Sequence, residues 1–153
     1  MTDTRVRAYD AADRAACLAL FDGNTPTFFA AGERSDFAGF LDTHAASWAF
    51  QVVERSGAIV ACGGHRAAAD GETAGFCWGM VDRAQHRTGL GRILTQARLD
   101  AARATPGVRQ VRLDTSQHTQ GFYARFGFVV ERVVPDGYSP GLDRVDMLLR
   151  WPA

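Results

Sequence analysis

The chain has 153 residues and a mass of 16.6 kDa, which fits one compact domain and is too short for two full ones. With 46% hydrophobic and 22% charged residues, its composition is that of a folded globular protein and excludes a disordered chain. The 17 basic and 17 acidic residues balance, so the basic excess typical of nucleic-acid-binding proteins is missing. We expect a single domain over residues 1–153 and no nucleic-acid partner.

All the basic residues are arginine, which excludes chemistry that needs a lysine Schiff base, and with the abundant Ala and Gly this favours a bacterial source. The longest apolar stretches, such as Phe128–Val130 and Ala58–Cys62, are far shorter than the ~20 residues of a membrane span. The polar N-terminus has no signal-peptide pattern. Three cysteines without a CxxC motif favour reduced thiols, and the four isolated histidines predict no metal site. We therefore predict a cytoplasmic protein without membrane contact.

The first third of the chain predicts one strand and two helices. Thr4–Ala8 alternates as a strand does. A helix is expected from about Ala11 to Phe21, with Asp10 as its N-cap. Its apolar stripe consists of Ala12, Ala15, Ala16, Leu18, Ala19 and Leu20. After a break rich in Gly, Asn and Pro, Ser35 or Asp36 would cap a second helix that runs through Leu41.

The middle of the chain predicts an antiparallel meander of three strands. These are Trp48–Glu54, Ala58–Gly63 and Thr73–Asp82, separated by turns at Arg55–Gly57 and Asp70–Glu72. Gly79 lies inside the third strand, where glycine marks a bulge or the close approach of a ligand. A packing allowance for a neighbouring tryptophan is the alternative interpretation.

The last part predicts alternating helices and strands. A helix is expected over Gly89–Ala104, with apolar positions Ile93, Leu94, Ala97 and Ala101. The remaining elements are a strand Val108–Thr115, a helix Thr119–Phe126, a strand Phe128–Val134, a turn Pro135–Gly137 and a strand Val145–Trp151. The order predicts an α+β (mixed α/β) fold with a mostly antiparallel mixed sheet of six to seven strands and about four helices. As an edge strand, Val145–Trp151 would allow a homodimer to form.

Val81–Arg98 is the most informative stretch for function, because a glycine-containing loop leads from a strand directly into a helix. The first N–H groups of such a helix lack intrahelical partners and favour an anion. Arg87 and Arg92 flank the loop and can add charge-assisted hydrogen bonds. A P-loop is excluded because the loop lacks lysine, and a dinucleotide fingerprint needs a third glycine where Leu94 stands. A tight turn without a ligand is the alternative.

Two motifs resemble the GNAT N-acetyltransferase superfamily over nearly the whole chain. The first, His86-Arg87-Thr88-Gly89-Leu90-Gly91, is similar to its acyl-coenzyme A binding motif: Gln or Arg, two residues, Gly, one residue, then Gly or Ala. His86 replaces the usual Gln or Arg. The second, Thr115–Phe128, is similar to the family segment in which a helix carries Phe-Tyr and ends at Gly-Phe.

The resemblance implies acetyl-CoA as co-substrate. Its pyrophosphate would contact the main-chain N–H groups of a loop comprising Arg87, Thr88, Gly89, Leu90, Gly91 and Arg92, with His86 as a further donor. The pantetheine arm would pair with main-chain groups of Met80 and Val81. Gly79 would form the bulge that splays this strand from Val108–Thr115.

The resemblance also implies direct transfer of the acetyl group to an amine, with Tyr123 as general acid. A phenol with an ordinary pKa of about 10 is protonated at neutral pH, as a donor must be. The general base stays open among the following residues: Glu33, His65, Asp82 and Asp114. Cys77, next to Trp78, is interpreted as a core residue and not as a nucleophile.

On the acceptor side the family uses the loop between its first two helices and its last hairpin. Here these are Asn24–Arg34 and Pro135–Asp143, with Phe29, Glu33 and Tyr138 as candidate contacts. Their aromatic and mildly polar character favours a small-molecule, amino-acid-like or peptide amine. A non-catalytic acyl-CoA-binding or regulatory module on the same fold is the alternative to an enzyme.

Overall fold

The computed structural model describes residues 3–152. They form one seven-stranded sheet: β1 Thr4–Ala8, β2 Gln51–Arg55, β3 Ala58–Ala67, β4 Thr73–Val81, β5 Gln110–Thr115, β6 Val129–Ser139 and β7 Leu142–Arg150. The α-helices are α1 Arg14–Gly23, α2 Arg34–Thr43, α3 Leu90–Ala104 and α4 Gln120–Ala124. The strand order is β1-β2-β3-β4-β5-β7-β6, with β4 and β5 parallel and the other pairs antiparallel. The predicted fold class is confirmed.

The hydrophobic core covers both faces of the sheet. Val52 and Val53 are adjacent on β2 and point to opposite faces, as alternation in a strand requires. Val52 packs with α1 and α2, whereas Val53 packs with Leu90 and Leu94 of α3. A further cluster lies between α3 and the second half of the sheet. Among the described helices, none combines the length and the apolar character needed to cross a membrane.

The cap predicted before α1 is present, although it begins a 3₁₀ turn, Ala11–Asp13, that leads into α1 at Arg14, whereas the caps predicted for α2 are not. The Asp10 carboxylate accepts the N–H of Ala12 at 2.8 Å, while the Asp13 carboxylate accepts the N–H of Asp10 at 2.9 Å, so that Asp10 caps the first turn. At α2 a 3₁₀ turn, Ala31–Glu33, begins the helix earlier than expected. The Glu33 carboxylate accepts the Ala30 N–H at 2.8 Å, and the predicted caps Ser35 and Asp36 are wrong.

The length of α3 is predicted well, but its buried face is not. Of the four expected apolar positions, only Leu94 is buried. The residues that α3 buries are Leu90, Leu94, Thr95, Arg98, Leu99 and Ala102. Two polar residues, Thr95 and Arg98, therefore occupy core positions, and this shifts the true face away from the one that apolar periodicity indicates.

The last hairpin also differs from the prediction. Its tight turn is at Pro140 and Gly141, and the expected turn Pro135–Gly137 lies within an irregular, bulged part of β6. The Asp143 carboxylate accepts a hydrogen bond from the N–H of Asp136 at 2.9 Å, and this bond stabilises the bulge. The segment Val145–Trp151 is not an edge, because β7 pairs with β5 on one side and β6 on the other. The sheet ends at β1 and β6.

Candidate active site

Strands β4 and β5 diverge near the centre of the sheet. They pair only where Thr73–Gly75 lies beside Gln110–Arg112. Beyond this point β4 carries one extra residue relative to β3, because Cys62 pairs with Met80 and Gly64 with Cys77. The bulge was expected at Gly79, and it falls there, but the residue with left-handed backbone is Trp78, with φ 46°. The two parallel strands are therefore unpaired beyond Gly75 and Arg112, which leaves an opening between them.

The end of β4 that borders this opening is held by side chains from two loops. Asn24, at the end of α1, donates to the Val81 carbonyl at 2.8 Å, and the His86 ring lies 3.0 Å from the same oxygen. The N–H of Asp82 pairs with the Val60 carbonyl of β3. The main-chain N–H and C=O of the preceding residue, Val81, therefore point away from β3, toward the opening. Met80 instead pairs with Cys62, and its side chain is buried in the core.

The loop before α3 presents main-chain N–H groups in an exposed turn. Arg87 and Gly89 both have left-handed backbone, with φ 67° and 89°, and Gly89 is the N-cap of α3 without any side-chain cap. The first N–H groups of the helix, from Leu90 onward, thus lack capping partners and carry the positive end of the helix dipole. Thr88 anchors the turn by donating to the Gln85 carbonyl at 2.7 Å. The turn has the features of an anion site.

Arg55, at the end of β2, reaches the same loop and was missed by the sequence analysis, which assigned it only to a hairpin turn. Its guanidinium donates to Thr88 Oγ1 at 3.2 Å and approaches Gln85 Oε1 at 3.5 Å. Arg55 and Thr88 are far apart in the chain, so only the pairing of β2 in the sheet brings them together. Arg55 adds a third cation to Arg87 and Arg92 at this turn.

Tyr123 lies on α4, the helix that follows β5. Its ring packs edge-on against Phe122 and Phe128, with centroids 5.1 and 5.8 Å away. The side chain is half-buried, and the Arg98 guanidinium lies 3.5 Å from its hydroxyl oxygen. Tyr123 therefore has both the packing of a core aromatic residue and a hydroxyl at a polar site.

Arg98 is the second residue that the sequence analysis missed. It is 1% exposed, and its guanidinium lies over Gly63 and Gly79. The pattern that could have revealed it is its spacing of four and eight residues from Leu94 and Leu90, which puts it on the buried face of α3.

The predicted acceptor residues lie in two different environments. Phe29 packs against Phe21 and Trp78, with centroids 5.1 and 6.2 Å away, and so forms part of an aromatic cluster. Tyr138 donates a hydrogen bond to the carboxylate of Asp114, at the end of β5. Burial and the neighbouring charges of Asp114 and Glu33 raise the pKa of Tyr138. Burial, together with Asp114, also raises the pKa of the half-buried Glu33. The carboxylates of Glu33 and Asp114 and the phenol of Tyr138 thus form one cluster.

The remaining candidates for the general base, Asp82 and His65, and the thiol of Cys77 lie in surroundings that fit a structural role. The Asp82 carboxylate accepts the N–H of Ala84 at 3.1 Å and caps a 3₁₀ turn. His65 is half-buried, and burial followed by the charge of Arg98 lowers its pKa. Burial raises the pKa of Cys77 to about 12, so this thiol remains protonated, as its interpretation as a core residue requires. Within residues 3–152 no group of three or more His, Cys, Asp or Glu side chains could hold a metal ion.

Comparison with known proteins shows the family and the fold. Residues 26–151 match the family model described as an acetyltransferase (GNAT) domain. None of the curated proteins matches the sequence. Many solved structures share the fold. One is a protein from Desulfovibrio desulfuricans assigned to the GNAT acetyltransferases, with 25% identity, a TM-score of 0.77, and coverage of 98% of this chain and 99% of that one.

Two further structures cover nearly the full length at lower identity. The ribosomal-protein-S18-alanine N-acetyltransferase of Escherichia coli is 18% identical, with a TM-score of 0.78 and coverage of 97% of this chain and 94% of that one. The protein yncA of Salmonella typhimurium, solved with its cofactor acetyl-CoA, is 18% identical, with a TM-score of 0.76 and coverage of 99% and 95%. At these identities the likeness concerns the fold.

Proposed function

Because the chain belongs to the GNAT family of acetyltransferases, we propose that it is an acetyl-CoA-dependent N-acetyltransferase. It transfers the acetyl group directly from the thioester to a primary amine of a small-molecule or amino-acid-like acceptor. The observation that carries this proposal is the opening between β4 and β5, which has an uncapped helix N-terminus at one end and Tyr123 beside it.

The coenzyme would lie along the opening. Its pyrophosphate accepts hydrogen bonds from main-chain N–H groups between Arg87 and Arg92, and Arg55 adds charge from the side. The pantetheine arm runs beside Met80 and Val81, where the main-chain N–H of Val81 faces the opening. Since the His86 ring already lies on the Val81 carbonyl, His86 acts by shaping this end of β4.

The reaction needs a neutral amine and a proton for the departing thiolate. The amine nitrogen attacks the thioester carbon, a C–N bond forms, and the C–S bond breaks with its electron pair on sulfur. Tyr123 donates its hydroxyl proton to that sulfur as general acid. Main-chain N–H groups near the bulge at Trp78 can polarise the thioester carbonyl.

We assign the general base to Glu33. Burial raises its pKa, which makes its carboxylate a stronger base than that of an ordinary glutamate. One of its oxygens accepts the Ala30 N–H, and the other has no partner among the hydrogen bonds of the described residues. Asp114 adds negative charge beside it, so that a protonated amine is attracted before it gives up its proton.

The test combines coenzyme binding with thiol release. Calorimetry with CoA measures binding, and release of free thiol from acetyl-CoA is followed across a panel of amines, amino acids and peptides. The proposal requires saturable binding and amine-dependent thiol release. Binding without release for any amine would instead support the non-catalytic acyl-CoA-binding module, and the absence of binding would reject both.

A further inference from the structure

Arg98 is a buried charge without a counter-ion. Within residues 3–152 no carboxylate forms a salt bridge with it. Its guanidinium occupies space that exists because two strands carry glycine. A β-carbon would lie 3.1 Å from Arg98 Cζ at Gly63 and 2.8 Å from Arg98 Nη2 at Gly79. The chain therefore makes room on both β3 and β4 for a cation on α3.

The hydrogen bonds of Arg98 are few and long. Nη1 donates to the Gly64 carbonyl at 3.4 Å, Nη2 donates to the Tyr123 hydroxyl oxygen at 3.5 Å, and the buried Nε has no partner. The guanidinium also lies over the ring of Phe76, 4.3 Å from its centroid. Burying a charge with so little compensation is unfavourable, so a purely structural role explains it poorly.

The neighbouring titratable groups do not supply the missing anion. Cys62 and His65 lie on β3, and Cys77 lies on β4. The charge of Arg98 contributes to the pKa of each of them. Burial raises the pKa of both thiols, so they stay protonated, while burial and Arg98 lower the pKa of His65. Asp114 on β5 is exposed and accepts its hydrogen bond from Tyr138. The polar side chain on α4 that meets the guanidinium is Tyr123.

A guanidinium has hydrogen-bond donors only, so the Tyr123 oxygen must be the acceptor in their contact. The phenolic hydrogen then points away from Arg98. We propose that Arg98 is a positioning residue, which holds Tyr123 by its oxygen and directs the phenolic hydrogen toward the coenzyme sulfur. This inference rests on the proposed function.

The same contact stabilises the product of proton transfer. When the C–S bond breaks and the proton moves from Tyr123 Oη to sulfur, the half-buried phenolate that remains lies next to the buried cation of Arg98. An electrostatic interaction there is stronger than in water and requires no reorganisation during the reaction. The phenolate regains a proton from solvent after the thiol has formed, while the base holds the proton of the amine.

The test measures steady-state kinetics of Arg98→Met in two backgrounds, wild type and Tyr123→Phe. In the wild-type background we expect kcat to fall about 10- to 100-fold with KM for acetyl-CoA changed less than about twofold. In the Tyr123→Phe background the same substitution should change kcat less than about threefold, because the group on which Arg98 acts is gone. An equal loss in both backgrounds, or no loss in either, overturns the proposal.

Thermal unfolding distinguishes a positioning role from a structural one. If Arg98 mainly stabilised the fold, its replacement would lower the melting temperature. Replacing a buried, poorly paired charge by an apolar side chain of similar length is commonly neutral or stabilising. We therefore expect a slower Arg98→Met enzyme whose melting temperature is equal to or above that of the wild type, and a clearly lower melting temperature overturns the proposal. Arg98→Leu is the second variant if the methionine side chain packs badly.

The outcomes also separate this inference from the proposed function. A wild-type protein that acetylates an amine, with equal losses from Arg98→Met in both backgrounds, refutes the role of Arg98 alone. A wild-type protein that binds CoA and releases no thiol with any amine refutes the enzyme, and the positioning role with it.

Discussion

The ring of Phe122 lies directly against Gly91: a β-carbon on Gly91 would be 3.2 Å from Cζ of that ring. This contact docks α4 onto the first turn of α3. The turn proposed to bind the pyrophosphate is thereby connected to Tyr123, the neighbour of Phe122 on α4. Glycine at this position therefore serves helix packing, in addition to the proposed approach of the coenzyme to the main chain.

A β-carbon at Gly91 should disturb both functions. We expect Gly91→Ala to be less stable than wild type by up to about 1 kcal/mol and to have a lower kcat. The matched control is Gly39→Ala on α2, where a β-carbon meets nothing within 4 Å; there alanine should stabilise the helix by about 0.5–1 kcal/mol. Chemical denaturation measures both, and equal stabilisation of the two variants would contradict the packing argument.

Tyr123→Phe removes the proposed proton donor and keeps the ring. We expect kcat to fall about 100-fold or more, while the affinity for CoA by calorimetry stays within about twofold. Tyr9→Phe is the control, since Tyr9 packs edge-on against Phe50 away from the opening and should not change turnover. Undiminished turnover of Tyr123→Phe would remove the general acid from the mechanism.

Arg55→Ala tests the contribution of β2 to the coenzyme site. Loss of one cation beside the loop should weaken CoA binding about tenfold, and the effect should shrink at high salt because the site is exposed. kcat at saturating acetyl-CoA should not change. Arg5→Ala provides the comparison, since Arg5 is an exposed arginine that pairs with Glu54 on the adjacent strand. The assignment is wrong if both variants bind CoA as the wild type does.

The sequence predicted those features that depend on local patterns. Asp10 as a cap and the span of α3 follow from residues close in the chain, and both are present. The glycine turn before α3 was also predicted, and Gly89 there has left-handed backbone, whereas the role of this turn in binding stays a prediction.

The errors arise where distant segments decide the environment. Arg98 looks like a surface residue until Gly63 and Gly79 are seen opposite it, and those glycines lie on two other strands. The hydrogen bond from Tyr138 to Asp114 was likewise not expected, because it joins the last hairpin to the end of β5. Val145–Trp151 was placed at an edge because the sequence does not specify that β6 adds outside β7.

If Glu33 is the base, the reaction should depend on pH in a particular direction. Burial and Asp114 raise its pKa, and only the ionised carboxylate can accept a proton. We therefore expect kcat/KM for the amine to fall as pH drops through a value above the ordinary 4.3 of glutamate. Glu33→Gln should lower the maximal kcat/KM about 10- to 100-fold and abolish its fall at low pH, the acid limb of the profile. An acid limb that persists in Glu33→Gln would place the base elsewhere.

The pH dependence of stability tests the raised pKa of the Glu33 carboxyl independently of activity. Since the folded state holds the Glu33 proton to higher pH than the unfolded state does, this residue stabilises the fold most at low pH. That contribution is lost as pH rises through the raised pKa. Glu33→Gln does not titrate, so its stability relative to wild type should increase with pH across this window. A constant difference between the two proteins would show that the pKa of Glu33 is not raised.

A crystal structure with bound acetyl-CoA tests the central claim most directly, because it locates phosphates and sulfur at once. The account predicts the pyrophosphate on the main-chain N–H groups between Arg87 and Arg92, and the thioester sulfur within hydrogen-bonding distance of Tyr123 Oη. A coenzyme bound outside the opening between β4 and β5, or with its sulfur remote from Tyr123, would contradict it.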